Sequence, residues 1–247
     1  MKQITILPGL DKQRHPETFG QIVMKPGELY AIVGNTGSGK SRLIKDIEQL
    51  ANGDSITSRT ILLDGQPVPA QKRQALSQSL VAHLGQNMRF VMDGTVEEFI
   101  QLHAKCRQRI VDIESILDLV NSITPEAVHK ESLLNELSGG QSRALMIADI
   151  AMICDSPIVL IDEIENAGID KEKALRLLCK ENKLVLTVTH DPHTALMASQ
   201  RIVVGNGAIL AKIDRSQEEE ILYQELEENY QKQCRYQALL RKGKLLV

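Results

Sequence analysis

Short apolar runs bounded by turn residues alternate along this chain with longer segments of helical periodicity. Four such runs in the first quarter of the chain predict strands, because aliphatic and β-branched residues dominate them and Pro, Gly or Asp residues follow. They are residues 4–7, 21–24, 29–33 and 60–63. Between them, Leu43, Ile44, Ile47 and Leu50 share one helical face, and Asn52-Gly53 predicts a left-handed C-terminal cap for that helix.

The middle of the chain has a helical pattern. Apolar residues recur at helical spacings over residues 96–128, which predicts an all-helical lobe. The helical pattern is interrupted at residues 136–141, and a periodic helix then runs to Met152. Residues 173–179 are also helical in pattern.

Two buried strands are predicted in the second half, over residues 158–161 and 184–189. Each delivers a polar pair at its carboxyl end, Asp162-Glu163 and His190-Asp191. In open α/β sheets that edge is where ligands bind, so we expect both pairs at one site.

The chain ends with a hairpin signal and a helix. Residues 202–204 and 208–213 flank the turn at 205–207, and Ser216 with Glu219 forms a capping box for the final helix. Tyr223, Leu226, Tyr230 and Cys234 mark its apolar face. We expect this stripe to pack on its own domain; contact with a second chain or a partner is the alternative.

Composition narrows the class of protein. The 247 residues allow one domain of two lobes or two small domains, and aliphatic residues with only 3% aromatics suit an α/β fold. The net charge of −3, with both signs mixed, argues against a broad basic face for nucleic acid. Widely spaced cysteines predict reduced thiols in a cytosolic protein. Without a long uncharged apolar stretch or a signal peptide, membrane association is expected only through a partner.

A phosphate-binding loop is the strongest chemical signal. Residues 34–41 fill the pattern G-x-x-x-x-G-K-[ST] between an apolar run and a helix, a context that favours a phosphate-binding loop over a chance glycine-rich turn. Its glycines let amide groups converge on phosphate oxygens at a helix N-terminus, Lys40 reaches the β and γ phosphates, and Ser41 offers a hydroxyl to Mg²⁺. The predicted nucleotide-binding residues here are Gly34, Asn35, Thr36, Gly37, Ser38, Gly39, Lys40, Ser41 and Arg42.

Further motifs follow in order, and together they resemble the nucleotide-binding subunit of ATP-binding cassette (ABC) ATPases over roughly residues 1–213. Gln86 stands at the position of that family's Q-loop, residues 137–141 read LSGGQ, residues 158–163 resemble its Walker B strand and catalytic glutamate, and His190 resembles its switch histidine. The resemblance implies an α/β P-loop NTPase of ABC type, with a mixed β core and an all-helical subdomain at about 87–155. Residues 214–247 would be a C-terminal helical extension.

The resemblance also implies roles. Asp162 and Gln86 would join Ser41 around Mg²⁺, while Glu163 would act as general base on water. His190 would bind the γ-phosphate or the glutamate. Ser138, Gly139, Gly140 and Gln141 would face the nucleotide of a second subunit, giving two ATP molecules sandwiched between two chains.

Two departures from the family pattern stand out. Residues 163–170 read E-I-E-N-A-G-I-D, about one residue longer and more acidic than the corresponding D-loop of transport members. No aromatic residue clearly matches the one that stacks on adenine; His15 is a candidate substitute, and Phe19 is expected in the core.

The resulting prediction is an ATPase that converts ATP to ADP and phosphate as a homodimer or with a related chain. Its predicted use is as motor subunit of a membrane transporter, cytoplasmic and held at the membrane by an integral partner. Residues 87–95, with Met88, Phe90, Val91 and Met92, would dock that partner or else close the helical core. A soluble ABC ATPase acting on nucleic acid or a macromolecular complex is the alternative, and an ATP-binding switch without turnover is a third reading.

Overall fold

Ten strands form two sheets in the computed structural model of the chain, which describes residues 1–86 and 88–246 without the side chains of Asn166 and Ala167. The smaller sheet is antiparallel, in the order β2-β1-β4-β5. Its strands are β1 (Ile4–Leu7), β2 (Ile22–Met24), β4 (Thr60–Leu63) and β5 (Gln66–Pro67).

The larger sheet has the order β10-β9-β3-β8-β7-β6. Its strands are β3 (Leu29–Val33), β6 (Val81–Leu84), β7 (Ile158–Asp162), β8 (Leu184–Val188), β9 (Gln200–Gly205) and β10 (Ala208–Asp214). All neighbours are parallel except the edge strand β10, which runs antiparallel to β9. The loops that follow β3, β6, β7 and β8 therefore leave from the same edge.

Eight helices occur in the described part of the chain. They are α1 (Lys40–Glu48), α2 (Ala70–Leu80), α3 (Val96–Cys106), α4 (Ile113–Ile123), α5 (Gly139–Met152), α6 (Lys171–Lys180), α7 (Pro192–Met197) and α8 (Gln217–Arg241). Short 3-10 turns lie at Leu134–Glu136 and Ile164–Ala167. None of the helices described is long and apolar enough to cross a bilayer.

The alternation of β7 divides the apolar interior in two. Ile158 and Leu160 face a cluster shared with α1 and the smaller sheet, whereas Val159 and Ile161 face a cluster built mainly from α3, α4, α5 and α6. Successive side chains of a strand point to opposite faces, so one strand serves both cores. The predicted mixed β core with an all-helical subdomain is confirmed.

Two local predictions need correction. The helix α1 ends at Glu48, not at Asn52-Gly53, because Leu50 itself takes the left-handed conformation at φ 50°. The Leu50 and Ala51 amides donate to Ile47 and Asp46 carbonyls, the paired bonds of a Schellman cap. In addition, the continuous helical pattern over residues 96–128 is divided into α3 and α4.

The predicted C-terminal stripe packs on its own chain. Tyr223 and Tyr230 stack on His193 of α7, with ring centroids 5.7 and 4.7 Å apart. The capping box of Ser216 and Glu219 is present at the start of α8.

Candidate functional site

The phosphate loop joins β3 to α1 through glycines with positive φ. Gly34 has φ 150°, Gly37 has φ 74° and Gly39 has φ 112°. A Cβ on Gly34 would lie 2.1 Å from the Val204 carbonyl oxygen, and one on Gly39 would lie 2.9 Å from the Gly207 Cα. No described atom lies within 4 Å of a Cβ on Gly37. The loop is thus packed tightly against the β9–β10 hairpin on one side and open on the other, as a phosphate cradle requires.

The Lys40 side chain folds back over this loop. Its Nζ donates to the carbonyl oxygens of Gly34 at 2.7 Å and Asn35 at 3.1 Å. Burial lowers the pKa of Lys40, and the carboxylates of Glu163 and Asp162 act in the opposite direction. The ammonium group is therefore held at the loop, close to the carboxylates that follow β7.

A buried charge network supports the loop from behind. The Gly207 amide donates to the Ser38 carbonyl at 2.7 Å, and the Gly207 carbonyl accepts from Nη2 of Arg59 at 2.7 Å. Arg59 is fully buried and pairs with Glu17 at 2.6 Å and Asp46 at 3.1 Å. This network connects the smaller sheet, α1 and the hairpin that contacts the phosphate loop.

Glu163 follows β7 in a left-handed conformation, with φ 48° and ψ 62°. Its amide donates to the Val188 carbonyl at 3.0 Å, and its Oε2 accepts from Nε2 of Gln86 at 2.7 Å. Parallel pairing of β6 with β7 and of β7 with β8 explains why Gln86, Glu163 and His190 meet although they are far apart in the chain.

A cavity of about 340 Å³ lies at this edge. It is lined by Thr36, Gly37, Gly39, Lys40, Ser41, Arg42, Gln86, Asp162, Glu163, Val188 and His190. Most of the predicted phosphate-loop residues and all of the predicted catalytic residues thus share one cavity. Ser41, Asp162 and Gln86 bring oxygen donors to it, and oxygen is the ligand that Mg²⁺ prefers, so the residues present fit that ion.

The signature residues lie elsewhere. Ser138 caps α5, where its Oγ accepts from the Gln141 amide and donates to Glu126 at 2.9 Å. Gln141 donates to the Ala127 carbonyl at 2.9 Å. Of the described residues that line the Lys40 cavity, none comes from 138–141.

His15 does not line that cavity either. Its side chain is 76% exposed and its Nδ1 lies 3.4 Å from Asp11. Phe19 packs against the core, as predicted. In the same loop Lys12, which the sequence did not single out, donates from Nζ to the Gly37 carbonyl at 2.7 Å.

Three further residues at the site were missed from sequence. The Arg143 guanidinium, buried on α5, donates to the Gln86 carbonyl at 3.0 Å. Oε1 of Glu165 accepts from the Thr189 hydroxyl at 2.8 Å and from the His190 amide at 3.2 Å. The nearby carboxylates of Asp162 and Glu48 raise the pKa of His83, the third. Its position in the strand that leads to Gln86 was the signal available.

Comparison with known proteins identifies the family of this chain. Residues 21–166 match the family model described as ABC transporter. An uncharacterised ABC transporter ATP-binding protein of Methanocaldococcus jannaschii is 50% identical over 232 residues, which are 92% of this chain and 88% of the relative. An ATP-dependent lipid A-core flippase of Xanthomonas campestris is 33% identical over 213 residues, 81% of this chain but 34% of the flippase. The chain therefore spans about a third of that larger protein.

Solved structures share the fold. CbiO1 of Clostridium perfringens, part of an ABC transporter complex, has a TM-score of 0.66 at 18% identity, covering 98% of this chain and 100% of that one. A dimeric ATP-binding cassette in a post-hydrolysis state bound to ADP and Pi has a TM-score of 0.60 at 22% identity, covering 85% of this chain and 98% of that one. Since the family model spans more than half of the chain and one relative shares half of its residues, the chain belongs to the ATP-binding cassette family, as an ATP-hydrolysing nucleotide-binding subunit.

Proposed function

We propose that the chain is the motor subunit of a membrane transporter and that two such chains hold two ATP molecules between them. The observation that carries the transport assignment is an apolar groove that lies a few residues after Gln86 and is lined in part by Met88, Phe90, Val91 and Met92. Gln86, which contacts Glu163, is therefore close in sequence to a surface suited to a partner. The relatives support this choice, since they include an ABC flippase and a methionine import ATP-binding protein.

At the nucleotide site, the amides of the phosphate loop and Lys40 would bind the phosphates. Ser41, Asp162 and Gln86 would hold Mg²⁺, which supplies positive charge beside the phosphate oxygens. Glu163 would orient and deprotonate the attacking water, a role worth about 10²- to 10⁴-fold in rate. The side-chain amide of Gln86 donates to the Glu163 carboxylate, and His190 would donate to the γ-phosphate or to Glu163.

Residues 138–141 complete the proposal for a second chain. They open α5 with Ser138 at its N-cap, and a helix N-terminus favours anions. Because they lie outside the Lys40 cavity of their own chain, they are available to a nucleotide held by another copy. The dimeric relative bound to ADP and Pi supports this arrangement.

The groove has a volume of about 470 Å³. Phe90 and Phe99 form its aromatic wall, with ring centroids 4.8 Å apart, while Val91 is 99% exposed and Met88 is 50% exposed. Met92 and Phe90 also pack against the helical core, which supports the core-closing role, while Met88 and Val91 stay exposed for the proposed partner. Asn87, the first residue of the predicted docking segment, lies outside the described residues.

Crosslinking tests the groove. On a background with the native cysteines replaced, Val91→Cys should capture an integral membrane protein in native membranes. Ile110→Cys is the matched control, since it is equally exposed in the same lobe but does not line the groove. Capture of soluble proteins or nucleic-acid complexes alone, with ATPase activity intact, would favour the soluble ABC alternative.

The nucleotide site has its own test. Glu163→Gln should bind ATP, hydrolyse it at least about 10²-fold more slowly, and accumulate as an ATP-bound dimer. Lys40→Ala should lose ATP affinity and show no such dimer. Light scattering with and without Mg-ATP separates the two variants, and near-normal hydrolysis by Glu163→Gln would remove Glu163 as the base.

A further inference from the structure

The helix α8 has one face fixed to its own chain. The rings of Tyr223 and Tyr230 stack on His193, and Nζ of Lys171 lies 4.7 Å from the centre of the Tyr230 ring. Nε2 of His193 also lies 2.7 Å from Glu227. These contacts set the rotation of the helix, and with it the residues that face solvent.

The opposite face carries a regular seam. Its positions, spaced by four and three residues in alternation, are Ile221, Glu225, Glu228, Lys232, Arg235 and Leu239. That spacing keeps side chains in line along one face of a helix, where they can meet a second helix. Ile221 is 69% exposed, the four charged residues are exposed, and Leu239 is partly buried.

The acidic and basic residues of this seam occupy separate halves of it and form no ion pairs with described residues. Glu225 and Glu228 lie in its first half, Lys232 and Arg235 in its second, and none of these four forms an ion pair with a described residue. Other α8 glutamates do find partners in the chain: Glu219 pairs with Arg201, Glu220 with Arg215 and Glu227 with His193.

The helix dipole does not account for this segregation. It favours acidic residues in the first turn and basic residues in the last, and its effect falls off within one turn. The seam charges occupy the middle of a helix that runs from Gln217 to Arg241. Glu228 and Lys232 have the i,i+4 spacing of a pair within one helix, and pairing with a second helix is another arrangement that this order suits.

Antiparallel pairing with an identical helix is such an arrangement. Suppose that a two-fold axis crosses the seam at the level of residue 230 along the helix. Glu225 then faces Arg235 and Glu228 faces Lys232, each twice by symmetry. The same alignment places Ile221 opposite Leu239 at both ends. A parallel pair would instead oppose like charges along the whole seam, which is unfavourable.

We propose that a second copy of this chain docks on the seam of α8 in antiparallel orientation. This surface is independent of the nucleotide-binding assignments proposed above. The carboxyl half of α8 borders, together with residues 168–170 after Glu163, a cleft of about 700 Å³. The helix thus stands beside the segment that joins β7 to α6.

The pairing should be weak alone. Residues 221–239 span about 27 Å at 1.5 Å per residue, and a single helix pair of that length is smaller than a standard stable interface. Its effect is to raise the effective concentration of one subunit near the other. Because exposed ion pairs dominate it, the association should weaken as salt is added.

Charge reversal tests the proposal without nucleotide. Analytical ultracentrifugation of nucleotide-free protein at low ionic strength should show a monomer–dimer equilibrium. Glu225→Lys with Glu228→Lys, and separately Lys232→Glu with Arg235→Glu, should each weaken self-association on the order of 10- to 100-fold. Mixing the two reversed proteins should restore association as a heterodimer, since every opposed pair is again of opposite charge.

Two controls make the test specific. Asp118→Lys with Glu131→Lys changes the net charge by the same amount on exposed positions of the helical lobe and should leave self-association unchanged. Circular dichroism confirms folding of each variant. A nucleotide-free protein that stays monomeric at low salt, or reversed variants that fail to associate when mixed, would overturn the pairing. An ATP-dependent dimer of Glu163→Gln in that case would leave the proposed function standing.

Discussion

Glu163 has an unfavourable left-handed backbone conformation and lies in the candidate nucleotide cavity. A non-glycine residue in the left-handed region costs about 1 to 3 kcal/mol, and here the Val188 carbonyl and the Gln86 amide hold it there. The conformation turns the chain sharply after β7 and leaves the Glu163 carboxylate within reach of Gln86. Strain at this residue is thus tied to the geometry that its proposed role needs.

Glu165 is expected to position His190, the proposed switch histidine. Glu165→Ala removes the acceptor for the Thr189 hydroxyl and the His190 amide, so kcat should fall about 10-fold while KM for ATP changes little. Glu165→Gln keeps an acceptor oxygen and should stay close to the parent enzyme. Steady-state kinetics of both variants checks this, and a rise in KM without loss of kcat would contradict it.

The phosphate-loop glycines should differ in their tolerance of a methyl group. Gly34→Ala meets the Val204 carbonyl at 2.1 Å, whereas Gly37→Ala meets open space and bears only left-handed strain of about 1 to 2 kcal/mol. In nucleotide-free protein, Gly34→Ala should therefore lower the melting temperature several degrees more than Gly37→Ala does. Differential scanning calorimetry measures both, and equal shifts would show that the loop moves freely away from Val204.

Residues of the site that form local motifs could be predicted, and those defined by distant contacts could not. Lys40 and Ser41 belong to a continuous pattern, and Glu163 follows a recognisable buried strand. Arg143 contacts Gln86 across 57 positions of sequence, and Glu165 reaches His190 across 25. No periodicity or local spacing in the chain marks such pairs before the strand order is known.

Among the elements, most strands were predicted closely because they are short apolar runs, whereas β5 and β6 were not predicted. The helix α2 was not predicted, since its sequence is polar and none of its residues is buried. The end of α1 was misplaced because Leu50, rather than a glycine, takes the left-handed cap. Its side chain is fully buried, so packing outweighs the conformational preference of the residue.

Asp191 links two elements and should confer acid sensitivity. It caps α7 through the Thr194 amide at 2.8 Å and pairs with Lys171 of α6. Burial raises the pKa of Asp191, but the bonds from Lys171 and Thr194 outweigh it and the pKa lies below its ordinary value. A carboxyl with a depressed folded pKa stabilises the protein above its unfolded pKa, about 3.9, and loses that contribution as pH falls through the folded value.

Asp191→Asn and Asp191→Ala separate the two roles. Asparagine still caps the helix but cannot pair as an anion. The melting temperature of Asp191→Asn should therefore fall less than that of the parent protein as the pH decreases below about 4. Alanine also removes the cap, which should cost about 0.5 to 2 kcal/mol more at neutral pH. Thermal melts from neutral to acidic pH distinguish them. If the melting temperature falls equally with decreasing pH in all three proteins, Asp191 does not cause the acid sensitivity.

At the scale of the whole molecule, two apolar clusters share the central strands, and the candidate site lies at the edge where the lobes join. The strand order explains this placement: β6 pairs with β7 although more than seventy residues separate them. The sequence predicts that polar pairs follow buried strands, but only the pairing decides which loops become neighbours. The resemblance to ABC ATPases supplied roles for these residues, whereas the strand order came from the structure.

The buried network of Arg59 should contribute to global stability far more than an exposed ion pair. Arg59 is fully buried between Glu17 and Asp46 and joins the smaller sheet to α1 and the Gly207 turn. Removing one partner from such a site leaves buried charges uncompensated, which costs about 3 to 5 kcal/mol.

Arg59→Ala should therefore lower the melting temperature by roughly 6 to 20 °C for a chain of this size. Arg73→Ala is the matched control, since Arg73 pairs with Asp54, whose side chain is 51% exposed, and such a pair contributes about 0 to 1 kcal/mol. Calorimetry of both variants, free of nucleotide, measures the difference. Because Arg59 also fixes the Gly207 turn behind the phosphate loop, ATP affinity should fall in Arg59→Ala and persist in Arg73→Ala. Equal melting temperatures in the two variants would show that the buried charges find water or new partners, and that the loop is held by its own packing alone.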